Sequence, residues 1–289
     1  MEKTRETASN QIVVSDIESA SHLAEGIKSI RVEDGRVFTR HVNGVVDGVE
    51  VWGGFVEDSA FIENDVIISR DSVVFKGAKI REGTHIGNNV TVGDDSYIGS
   101  NVTIYNNVSI GKGTCIESES QIDSCVEIGE RVKIGGLSHV YANVKISDDV
   151  SIGYGNTVRA GATIGRFTNT ANHVLIFSFA DIGESVILGE SVIVDNKAVL
   201  GNHVQVGCGA RIGKGSRLED HAMVGIDSSI GEDSIVMSYA DIGDLVIVKS
   251  GSIIRDRVEI MDNEIIDGDT LVTEGARWLL RHDGIRWNR

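Results

Sequence analysis

The sequence predicts an all-β chain wound as a parallel solenoid of triangular section, and three observations carry that reading. Aliphatic residues recur at every sixth position from Val56 to Val272, 37 positions of which only Thr170 breaks the rule. Two residues before each of them from Ile62 onward, a second slot holds Ala, Val, Ser or Thr in all 36 hexads except at Asn156 and Glu264. The 289 residues include 34 glycines and no proline. A period of six fits neither the 3.6 of a helix nor plain strand alternation. Each hexad instead reads as a short strand with one large and one small inward residue, followed by a corner. A glycine after the aliphatic, as in Ile86-Gly87 and Ile212-Gly213, suits such a corner. Three hexads close one coil, so residues 57–272 give about 12 coils stacked at about 4.8 Å. Interior strands spend every N–H on the ladder, which excludes proline.

The flanks read as caps on the open ends, where apolar core and unpaired strand edge would otherwise meet water. Residues 1–14 are polar. A short helix is predicted from Ser15-Asp16 to about Lys28, with Ile17, Leu23 and Ile27 on its apolar side. Ile30-Arg31-Val32, Glu33-Asp34-Gly35 and Arg36-Val37-Phe38 read as a hairpin, and Asn43-Gly44 as a second turn. Residues 1–56 thus form the N-terminal cap and 57–272 the solenoid. Residues 273–289 form a C-terminal hairpin turning at His282-Asp283-Gly284.

The net charge of −16 and a pI near 4.9 argue against a nucleic-acid partner, since phosphate binding needs clustered Lys and Arg. No apolar run approaches the length of a membrane span, and the first residues lack the apolar stretch of a secretory leader. Cytoplasmic residence, or assembly into a larger particle such as a virion, is the expectation. Cys115, Cys125 and Cys208, an odd number without CxxC spacing, support neither a disulfide framework nor structural zinc.

Ile98-Gly99-Ser100-Asn101-Val102-Thr103-Ile104 and its neighbours resemble the hexapeptide-repeat superfamily, over about three quarters of the chain. The resemblance implies a single-stranded left-handed parallel β-helix. It also implies a superfamily containing acyltransferases, γ-class carbonic anhydrases, nucleotidyltransferase appendages and non-catalytic subunits. Its enzymes generally work at clefts between the subunits of a trimer, with an outward histidine and a loop extruded from the repeat. No such loop interrupts residues 57–272.

Outward histidines are present. His203 and His221 lie three hexads, or one coil, apart within a corner row Phe167, Ser185, His203, His221, Tyr239, Arg257. The neighbouring outward row is Asn169, Ile187, Gln205, Met223, Asp241, Glu259. His203 and His221 are the candidate general bases, with Gln205, Met223, Tyr239 and Asp241 as binding residues. The row could equally be a solvated ladder or a subunit contact. His173, three residues after the irregular Thr170, is a further candidate at a local fault that could mark a groove or a tolerated defect.

No metal is expected. The text around His221-Ala222-Met223-Val224-Gly225-Ile226 resembles the zinc coil of γ-class carbonic anhydrases, but Ile226 and Ser185 stand where that resemblance requires histidines. His85 and His139 are three coils apart. Arg159-Ala160-Gly161-Ala162-Thr163-Ile164-Gly165 resembles the solenoids appended to sugar-phosphate nucleotidyltransferases, whose nucleotide-binding domain has no counterpart in residues 1–56.

Outward positions turn apolar late in the chain: Ile187, Ile193, Val199, Ile235, Ile247, Ile253, Ile265 and Leu271. Together with Trp278 and Trp287 they form the predicted interface, for a homo-oligomer with a trimer as the leading form. The tail from 273 carries four Arg against two acids on an otherwise acidic chain, and could dock another protein or seal the last coil. Two functions follow. The first is a non-catalytic, rigid oligomeric scaffold or spacer with no cofactor. The alternative is a trimeric acyltransferase using acetyl-CoA or another acyl-CoA and a sugar or amine acceptor.

Overall fold

The computed structural model describes residues 11–15, 17, 27–47 and 49–273. The chain divides into two compact units, Met1–Asp149 and Val150–Arg289. Both are parallel β-solenoids, so the described part is all-β as the sequence predicts.

In the first unit, fifteen two-residue strands run from Phe61–Ile62 to Lys145–Ile146, three per coil and so five coils. Partner strands on each face are separated by three hexads, as in Thr91↔Ser109, Tyr97↔Cys115 and Thr103↔Gln121. The second unit has twenty-one such strands, from Ser151–Ile152 to Leu271–Val272, hence seven coils, its partner strands again separated by three hexads. Every strand of the second unit exposes its first residue fully or in part and buries its second. Each buried Ile, Leu or Val contributes roughly 1.5–3 kcal/mol of apolar burial, offset by the entropy of ordering the chain.

Three sets of bonds join the coils. Strand N–H groups donate to the following coil, as Gln205 N to Ala222 O (3.1 Å) and Gly207 N to Val224 O (2.7 Å). The second residue of most corners adopts positive φ, and many of these donate back, as His221 N to Asn202 O (2.9 Å). Many of the Ser and Thr residues in the small inward slot bridge coils through a buried hydroxyl. Thr168 Oγ1 donates to Gly183 O (2.9 Å) and accepts from Val186 N (3.2 Å). Glycine after the aliphatic is required by crowding: a Cβ at Gly225 would stand 2.4 Å from Gly243 O.

Two of the three irregularities of the repeat, Asn156 and Thr170, prove to be one buried feature. Asn156 Nδ2 donates to Thr170 Oγ1 (2.7 Å) and to Ala171 O (2.9 Å), and Asn156 Oδ1 accepts from Val174 N (2.7 Å). A polar slot residue and a polar aliphatic position thus satisfy each other inside the coil. This pairing accounts for the fault near His173 without a groove.

At the N-terminal end, β1 (Gln11–Val14) pairs in parallel with β2 (Ser29–Val32), and β2 pairs antiparallel with β3 (Val37–Val46). β3 pairs antiparallel with β4 (Val49–Glu57), whose Phe55 and Val56 then lie beside Val73 and Val74. The cap thereby extends one face of the first coils and buries Ile17, Ile30, Val32, Phe38 and Phe55 against Val73. The hairpin over 30–38 stands as predicted, with Gly35 at φ 95°. The second turn does not: Asn43 and Gly44 lie within β3, where two register shifts fall between Arg40 and Gly44. The chain reverses instead around Asp47, at φ 51°. Asn43 is held in the strand because its carboxamide exchanges hydrogen bonds with Ile68 (2.9 and 3.0 Å). The helix predicted over 15–28 falls largely, and the C-terminal hairpin with Trp278 and Trp287 wholly, outside the described residues.

The pairing of Asn156 with Thr170 yields the first test. Asn156→Ala strips Val174 N–H and Thr170 Oγ1 of a buried partner and is expected to cost about 1–3 kcal/mol in urea denaturation. The double variant Asn156→Val with Thr170→Ile restores the apolar hexads and is expected to recover most of that loss.

Candidate functional site

The corner row of the second unit is the most ordered arrangement of chemically active side chains. His203 and His221 stack with ring centroids 4.7 Å apart and planes 11° from parallel. Tyr239 continues the stack on His221 at 4.6 Å and 6°, and the Arg257 guanidinium lies 5.8 Å from the Tyr239 ring. The backbone places them: each occupies the positive-φ corner, φ 57–61°, and each donates its N–H to the preceding coil. Side chains at equivalent corners must then stand one strand spacing apart, which is stacking distance for flat rings.

Beside this row, on the adjoining face, runs an open groove of about 300 Å³. Ile187, Gln205, Met223 and Asp241 line it in register, one per coil, over a floor that includes Gly207, Gly225 and Gly243. The glycines keep the floor low where any Cβ would strike the next coil. Asp244, also in the lining, is fixed as an acceptor of Ile226 N–H (2.7 Å) while its own N–H donates to Asp262 (2.9 Å). Burial, then the neighbouring carboxylates of Glu259 and Asp262, push the Asp241 carboxyl above its usual range.

The structure therefore brings Gln205, Met223 and Asp241 together in one groove and stacks His203, His221 and Tyr239 at its edge, outside the lining. His173 is elsewhere, at the following corner, with its ring edge-on to Tyr154 at 5.8 Å. The outward apolar residues do not share a surface. Val199, Ile235, Ile253 and Leu271 lie on one face, Ile193, Ile247 and Ile265 on a second, and Ile187 on the third. One hexad of spacing carries a side chain to the next face, so a run of hexads cannot build one row.

One cluster was not predicted. In the first unit His139 Nε2 lies 3.1 Å from Asp123 Oδ1, the His139 ring stacks on Tyr141 at 3.8 Å, and Gln121 Nε2 donates to the same Asp123 oxygen (2.8 Å). The signal was present as a spacing of 16, a residue just past one strand facing the start of its partner. Arg211 and Asp195 repeat it in the second unit (2.7 Å). Among the described residues no group of three or more His, Cys, Asp or Glu is placed to hold a metal ion, and no helix is long and apolar enough to cross a membrane. Cys115, Cys125 and Cys208 are free thiols.

Residues 89–124 match the family of bacterial transferase hexapeptide repeats, described as six repeats. No curated protein sequence matches the chain. Among solved structures it is similar to the UDP-N-acetylglucosamine acyltransferase of Francisella novicida, at 19% identity over 72% of this chain and 66% of that one, TM-score 0.45. The UDP-N-acetylglucosamine O-acyltransferase of Moraxella catarrhalis matches at 24% identity over 62% and 68%, TM-score 0.44. The Arabidopsis UDP-N-acetylglucosamine acyltransferase matches at 16% over 65% and 68%, TM-score 0.42. The chain spans about two-thirds of the length of these proteins.

The raised Asp241 carboxyl sets a pH test. A carboxyl held high in the folded state favours folding when protonated, and that contribution is lost as pH rises through its folded pKa. Asp241→Asn is expected to stabilise the protein at neutral pH by up to about 1 kcal/mol, because the repulsion is partly screened. The gain should vanish in thermal melts below the ordinary carboxylate range.

Proposed function

We propose, starting from the chain's membership of the hexapeptide-repeat superfamily, that it is an acyltransferase working at the groove of the second unit. The observation that carries this reading is the stack of His203, His221 and Tyr239 along the edge of a groove whose lining combines Ile187 and Met223 with Gln205 and Asp241. The name of the matching repeat family, a bacterial transferase, agrees with it. His221 is the general base, and His203, stacked on its ring, holds its orientation. The acceptor is a sugar hydroxyl or an amine. His221 takes its proton as the acceptor oxygen or nitrogen attacks the thioester carbonyl carbon of an acyl-CoA. The new C–O or C–N bond forms, the C–S bond breaks, and the proton passes to the departing thiolate. Gln205 and Asp241 offer hydrogen bonds that would orient the acceptor, while Met223 and Ile187 give the donor arm an apolar surface. A homotrimer fits this reading, since a groove open to solvent needs a second wall to exclude water.

A second reading, a non-catalytic scaffold or spacer, is favoured by one observation. From Phe61 to Val272 the two-residue strands follow one another with no inserted loop. A lid of the kind that closes over a bound donor has no place to arise within them.

Calorimetric titration of the purified oligomer with acetyl-CoA, followed by an assay of CoA release against sugar and amine acceptors, separates the two. Saturable binding, with turnover falling about 10²–10⁴-fold in His221→Ala, is the expected result. A folded oligomer that binds no acyl-CoA would leave the scaffold.

A further inference from the structure

The corner ladder of the second unit is missing one ring. Its positions from Phe167 to Arg257 share the same backbone, φ between 56° and 61°, and His203, His221 and Tyr239 stack at 4.7 and 4.6 Å. Ser185 interrupts the series between Phe167 and His203. Those two residues stand two coils apart, about 9.5 Å. A flat ring at the level of Ser185 would lie about 4.7 Å from each, the spacing the ladder already uses and one at which aromatic rings attract. Phe167 is 55% exposed, with the Arg166 guanidinium 5.2 Å from its ring centroid, and His203 is likewise exposed.

The flanking rows define what kind of ring fits. Two residues beyond each corner, Asn169, Ile187 and Gln205 lie in register. Each coil bordering the empty rung therefore presents an aromatic ring and a carboxamide, with apolar Ile187 between the carboxamides. The corner N–H groups are already committed, Ser185 N to Arg166 O and His203 N to Glu184 O, both 2.8 Å. Recognition then falls to side chains. A carboxamide one coil away can reach across to the next level, as Asn89 Nδ2 does to Asn107 Oδ1 (2.9 Å), and so offers a donor and an acceptor to the amino group and ring nitrogens of a purine.

We propose that the rung at Ser185 is a binding slot for a purine base, sandwiched between Phe167 and His203 and met at its edges by Asn169 and Gln205. The slot needs only the ladder geometry and stands whether or not acyl transfer occurs. Base stacking on aromatic side chains supplies affinity without a closed pocket.

The test uses the full chain and 2-aminopurine riboside, which keeps an amino group beside a ring nitrogen and whose fluorescence is quenched on stacking. Saturable quenching is expected, weakened at least about ten-fold in Ser185→Tyr, which fills the rung from within. That variant suits the backbone, since Tyr239 occupies the equivalent corner at φ 60°. The double variant Phe167→Ala with His203→Ala removes both walls and is expected to lose about five-fold or more in affinity. Absence of saturable quenching, or binding indifferent to both variants, overturns the slot. Competition by coenzyme A distinguishes the source of the base. Displacement tighter than that by adenosine assigns it to an acyl-CoA donor and equal displacement to a free nucleoside, and either sustains the slot.

Discussion

The hydrogen-bonded register that sets each hexad over the third one before it is the constraint on which the rest of the structure depends. It consumes strand N–H groups, the N–H of the positive-φ corners and many of the buried Ser and Thr hydroxyls, and so leaves no room for proline. It brings backbones so close that positions such as Gly207 and Gly225 cannot carry a Cβ. It also makes surface chemistry one-dimensional, because every outward side chain stands over its counterpart in the preceding coil. Flat rings at such positions stack, as His203, His221 and Tyr239 do. Opposite charges pair, as Arg131 does with Asp149 at 2.6 Å, and like charges strain one another, as at Asp241 and Glu259.

Features that repeat at whole multiples of the coil were legible in the sequence. The coils, their register, the histidine stack and the row from Gln205 to Asp241 all follow from counting. What escaped lies off that period. Asn156 and Thr170 are 14 apart and meet across a corner inside the coil, so two apparent defects conceal one satisfied pair. His139 and Asp123 are 16 apart, joined by side-chain reach rather than register. The predicted turn at Asn43-Gly44 failed because tertiary bonds from Asn43 to Ile68 hold the pair in a bulged strand, overriding a local preference. The apolar outward residues proposed as an interface form rows whose spacings assign them to three faces, four of them on one.

The site follows from the same geometry. Without an inserted loop, chemistry on such a surface must be assembled from rows, one residue per coil. The second unit does this with a polar and apolar row over a glycine floor and a ring stack along its edge. A variation within a row then acts as a functional device: a serine among rings opens a slot, and a carboxylate beside carboxylates raises a pKa. The acyltransfer reading and the purine slot are both consequences of which side chain each coil contributes.

The register can be measured directly by oxidative cross-linking in a background where Cys115, Cys125 and Cys208 are serine. Gln205→Cys with Met223→Cys joins positions one coil apart, within the roughly 4.4–6.8 Å that a disulfide spans between Cα atoms. Gln205→Cys with Asp241→Cys joins positions two coils apart, about 9.6 Å and out of reach. The account predicts efficient intramolecular cross-linking of the first pair and none of the second. Cross-linking of the second pair, or failure of the first in a folded protein, would contradict the register from which the ladder, the groove and the slot are built.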